Sequence, residues 1–154
     1  PGPGRYRRSL YTFHKRQAPP PALLLFDGPT REKCTLKRPR TNTPLQALVL
    51  LNDETWLDAS QRIASLILSD VKLKDDGARI TALAQQILAR DATDIEIQEL
   101  RSLLARARQR YQAAPDLAER LVGNGPKPTT SVDFAAWTLV VHTLFNLDEA
   151  ITRR

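Results

Sequence analysis

Read from the N-terminus, the hydrophobic and polar positions show no sustained helical period before Thr43. Pro19-Pro20-Pro21 predicts an extended polyproline stretch, and Gly28-Pro29 predicts a turn. Leu10 to Phe13 and Leu23 to Phe26 have the composition of short extended segments. From Thr43 onward the pattern becomes helical. Thr43 stands at an N-cap, Pro44 fits the first turn, and Gln46 occupies the place of a capping-box partner. The run Pro44 to Leu51 is apolar nearly all round and predicts a buried central helix. Asn52-Asp53 interrupts it, with Asp53 placed to cap a second helix through Trp56, Leu57, Ala59, Ile63, Leu66 and Ile67.

Asp75-Asp76 puts negative charge at the start of a third helix, whose stripe is Ile80, Leu83, Ala84, Ile87 and Leu88. Thr93 and Glu96 form a capping box before Ile97, Leu100, Leu103, Leu104, Ala107 and Tyr111. These two segments, 75–90 and 94–112, read as an antiparallel hairpin. Pro115 opens a short helix that Gly123-Asn124-Gly125-Pro126 ends. Ser131 then caps a last helix from Phe134 to Leu147, again apolar over most of its circumference and expected to pack against the helix at 44–51. The fold class is therefore all-α: an irregular bundle of five or six helices in 44–154, with an extended, proline-rich basic arm, 1–43, packed on it. The whole is one structural unit.

Charge sharpens this division. The net charge of +6 over 154 residues is uneven. Residues 1–43 hold ten Lys and Arg against Asp27 and Glu32, a net of +8, so the remainder is −2. The basic arm interleaves Arg5, Arg7, Arg8, Lys15 and Arg16 with Tyr6, Tyr11 and Phe13, a pattern that can grip phosphates and stack bases. Nucleic acid is nevertheless disfavoured, because the arm is rich in proline and apolar residues and the body adds no basic face. No apolar run is long enough to span a membrane. The chain opens Pro1-Gly2-Pro3-Gly4 and contains no methionine, which reads as a fragment of a longer protein.

Candidate chemistry is sparse. One cysteine, Cys34, excludes an internal disulfide and a cysteine-cluster metal site, and no haem-attachment motif is present. A thiol with His14, Asp27 or Glu32 beside it is the pattern of a nucleophilic site, but a single buried cysteine is more often a small hydrophobe. His14 and His142 are too few for a metal centre, so no metal and no cofactor is assigned to this chain. A polar set of Asn42, Gln46, Asn52 and Asp53, with Asn146, Asp148, Glu149 and Arg153, reads first as helix-end networks and second as a ligand pocket.

Three stretches carry a family resemblance: Arg7 to Arg16, Phe26 to Cys34, and Arg40 to Leu48. With the closing Leu144 to Arg153 they resemble the planctomycete-specific C-terminal domain, a domain of unknown function found at the end of large exported proteins. His14 departs from the family, which often has an aromatic or aliphatic residue there, and Glu54 stands where proline is common. The resemblance implies an extracytoplasmic location, periplasmic or cell-surface, and upstream domains of the same parent as partners. It also implies that a haem, where the parent carries one, belongs to a cytochrome-c-like domain elsewhere.

These readings predict a C-terminal helical interaction or structural module that docks on an upstream domain and does no chemistry alone. Arg7, Arg8, Tyr11, Phe13, Lys15 and Arg16 are its docking candidates. The alternative is part of an enzyme or redox unit acting on polysaccharide, with Asp27, Arg31, Glu32, Arg38, Arg40 and Asn42 lining a polar cleft near residues 27–42. Arginine and carboxylate in one segment suit bidentate recognition of sugar hydroxyls or acidic sugars. A basic arm on nucleic acid is the third reading.

Overall fold

The structure, a computed structural model, describes residues 11–15, 18–29, 32, 34–37, 39, 41–123 and 128–152. Among these it is all-helical, with eight helices and no strand. They are α1 (Pro21–Leu25), α2 (Pro44–Asn52), α3 (Glu54–Ser69), α4 (Asp76–Leu88), α5 (Asp94–Ala113), α6 (Pro115–Val122), α7 (Ser131–Phe145) and α8 (Asp148–Ile151). The chain forms two compact units, Pro1–Leu50 and Leu51–Arg154, and the division falls within α2.

In the first unit, the apolar run after the triple proline is a helix rather than an extended segment. Pro20 is the N-cap of α1 and Pro21 its first residue, where the missing N–H costs nothing. The helix ends in a Schellman turn. The Gly28 amide donates to the Leu23 carbonyl at 2.6 Å, and the Asp27 amide donates to Leu24 at 3.3 Å. Gly28 fits because a Cβ there would collide with the Leu23 carbonyl. Position 27 itself has φ +58°, a conformation that favours glycine, yet it holds an aspartate. Residues 11–15 form no strand, and Lys15 makes an isolated antiparallel bridge to Ala18.

α2 departs from its expected burial on all sides. Gln46 and Leu50, one turn apart, are buried, while Leu45 and Leu48 are more than half exposed. An apolar composition can fill a face of a helix without a neighbour to cover it, and here only one face is covered.

The second unit is built around α7, which meets the same description and does find neighbours on every side. Phe134, Trp137, Val140, Val141 and Leu144 are buried on it, together with Ala135, Ala136, Thr138 and His142. α3, α5 and α6 pack most extensively on α7, with α4 and α8 completing the ring. They contribute Ala64 and Ile67 from α3, Ile80 and Leu83 from α4, Leu104 and Ala107 from α5, and Ala118 and Val122 from α6. α4 and α5 form the expected hairpin.

Helix starts follow the capping signals. The Asp53 carboxylate accepts from the Thr55 amide at 2.7 Å, so α2 and α3 are two helices. Asp75 accepts from Gly77 at 2.7 Å at the head of α4, and Thr93 with Glu96 forms a full capping box on α5. One cap shifts by a residue: Thr130, not Ser131, accepts from the Asp133 amide and begins α7.

Arginines tie helix starts together. Arg108 on α5 donates through Nη1 to Asp76 (2.6 Å) and through Nε to Asp133 (2.7 Å), both carboxylates lying in the first turns of their helices. Arg90, just past α4, forks onto Glu96 at the start of α5 and Glu149 in α8, with four contacts of 2.6–2.9 Å. The Arg90 guanidinium, aided by the Thr93 amide, holds the Glu96 carboxyl down at about 2 against an ordinary 4.5. A carboxyl depressed in the folded state contributes stability above its unfolded value, and that contribution is lost as pH falls through the folded value. The expected result is an acid-side loss of stability between about pH 4.5 and about 2 that shrinks in Glu96→Gln. Urea unfolding at stepped pH measures it; an unchanged slope in the variant contradicts the assignment.

Candidate functional site

Of the residues proposed for a cleft near 27–42, Asp27, Glu32 and Asn42 are among those described, and Arg31, Arg38 and Arg40 lie outside them. Asp27 explains its own backbone. Its left-handed position turns the carboxylate toward Thr41, whose amide donates to Oδ2 at 2.8 Å and whose hydroxyl lies 3.0 and 2.8 Å from the two oxygens. Glycine would relax position 27 but could not make these bonds.

Thr41 passes the network on. Its hydroxyl donates to Asp27 and accepts from Gln46 Nε2 at 3.0 Å. The same Nε2 donates to the Leu25 carbonyl near the end of α1 at 2.8 Å. Gln46 Oε1 accepts from the Thr43 amide at 3.0 Å, and the Gln46 amide donates to the Thr43 hydroxyl at 3.3 Å, which completes the capping box of α2. Gln46 is fully enclosed, and its amide uses both donor hydrogens and its acceptor. This is a polar knot that joins α1, the strand-like approach to α2, and α2 itself. Glu32 and Asn42 are exposed. Cys34 is a free, exposed thiol, and His14 is half-buried.

Among the docking candidates, Tyr11 is 69% exposed, Phe13 83% and Lys15 exposed. Arg7, Arg8 and Arg16 lie outside the described residues. So do Asn124 to Lys127 of the proposed loop, and Arg153.

In the second unit, folding makes one pairing that has the outline of a nucleophile and its base. Ser60 Oγ stands 3.1 Å from His142 Nδ1. Both are buried, however, and the serine hydroxyl also reaches the Trp56 carbonyl at 2.7 Å. On the other side of the ring, Nε2 lies 3.2 Å from the Leu51 carbonyl, which can only accept, so a proton resides on Nε2. The pair links α3, α7 and the end of α2 in a buried polar contact. Nothing local in the sequence signals it, since the two residues are 82 positions apart. The remaining polar set resolves into helix ends: Asn146 donates to the His142 carbonyl at 2.8 Å, Asp53 caps α3, and Glu149 pairs with Arg90.

No cluster of three or more His, Cys, Asp or Glu able to hold a metal occurs among the described residues. No helix among them is long and apolar enough to cross a membrane.

The family model of PSD1, described as a protein of unknown function (DUF1553), matches residues 1–104, more than half of the chain. The chain belongs to this family. The PSD1 match includes the whole first unit with its polar knot, then α3, α4 and α5 as far as Leu104. No curated protein matches the chain, and no solved structure does.

Proposed function

We propose that this PSD1-family chain is a helical interaction module at the C-terminal end of a larger exported planctomycete protein, and that it docks on an upstream domain of that protein. The observation that carries the reading is the contrast within the first unit. Its polar groups at 27, 41, 43 and 46 are spent on one another, while Tyr11, Phe13, Leu36 and Leu45 are turned outward. Large apolar side chains exposed in number are the raw material of a protein contact. The location, periplasmic or cell-surface, rests on the family resemblance, as does the parent's domain order. Any haem belongs to another domain of the parent on this reading.

A polysaccharide-processing cleft draws no support from Asp27, both of whose oxygens accept from Thr41. The test is chymotrypsin cleavage after Tyr11 and Phe13, followed by mass spectrometry, in the 154-residue chain and in the longer protein. Rapid cleavage in the chain and slow cleavage in the longer protein is the expected result. Equal rates contradict docking through this segment.

A further inference from the structure

We draw no further inference here: the strongest candidate, the buried Ser60–His142 pair where α3, α7 and the end of α2 meet, is the contact already described, its polar atoms engaged with one another and with the Trp56 and Leu51 carbonyls.

Discussion

Trp137→Ala is expected to destabilise the second unit by about 3–5 kcal/mol, the range for removing a fully buried aromatic side chain. Trp137 is fully enclosed at the middle of α7, the helix on which every other helix of that unit packs. Its ring also lies under the Arg79 guanidinium, whose Cζ is 5.9 Å from the ring centroid. The loss is large beside the total stability of an ordinary domain, about 5–15 kcal/mol, so the variant should unfold at far lower urea. Trp137→Phe is the informative companion. Among the described residues the Trp137 Nε1–H is buried without a partner, so phenylalanine removes a desolvated donor along with part of the ring. It should cost much less than alanine. Urea unfolding followed by far-UV circular dichroism measures both, and a loss below about 1 kcal/mol for alanine contradicts the central place given to α7.

The second large effect is expected at Gln46. Gln46→Leu keeps the bulk and removes the amide, leaving the Leu25 carbonyl and the Thr43 amide without the bonds shown to them. Each buried polar group left unpaired costs about 1–3 kcal/mol, and water reaches Thr41 and Thr43 in part, so a total of about 2–4 kcal/mol follows. Gln46→Glu should not rescue it. A carboxylate can still accept from Thr43, but it offers no donor to Leu25 or Thr41 and sets negative charge against a carbonyl. Pulse proteolysis across a urea series, scored for cuts within residues 20–50, reads the effect. Wild-type resistance in Gln46→Leu contradicts the knot.

The two positions show what the sequence can and cannot disclose. Caps are local, so Thr43 with Gln46, Asp53, and Thr93 with Glu96 were legible from spacing alone, whereas Asp75 was legible only as charge at a helix start and its bond to the Gly77 amide came with the structure. Thr130 and Ser131 differ by one residue because both carry hydroxyls, and only the bond to the Asp133 amide separates them. A five-residue helix has too few turns for a period to appear, which is why α1 read as extended. α2 and α7 have the same all-round apolar pattern, yet α7 is ringed by helices and α2 is covered on one face. Composition states what a helix would bury, not what arrives to cover it.

The candidate site divides in the same way. Gln46 stood out as a member of a polar set and Asp27 as a cleft candidate, but their partner Thr41 did not, because the Asp27–Thr41 contact depends on the Schellman turn and its left-handed aspartate. Ser60 with His142, Arg90 with Glu149, and Arg108 with Asp76 and Asp133 are contacts between distant helices. Their residue types were visible; their pairing needed the topology. In the second unit, Arg90 and Arg108 are occupied with carboxylates in the first turns of helices, where negative charge already favours the dipole.

The central claim is that Asp27, Thr41, Thr43 and Gln46 form an internal knot rather than a ligand pocket. Site-resolved hydrogen exchange of the 154-residue chain, with no ligand added, tests it most directly. The Thr41 and Thr43 amides, bonded to Asp27 and to Gln46, should exchange slowly, and added oligosaccharide should leave their rates unchanged. Fast exchange at both, slowed only when oligosaccharide is supplied, would contradict the account and restore the cleft.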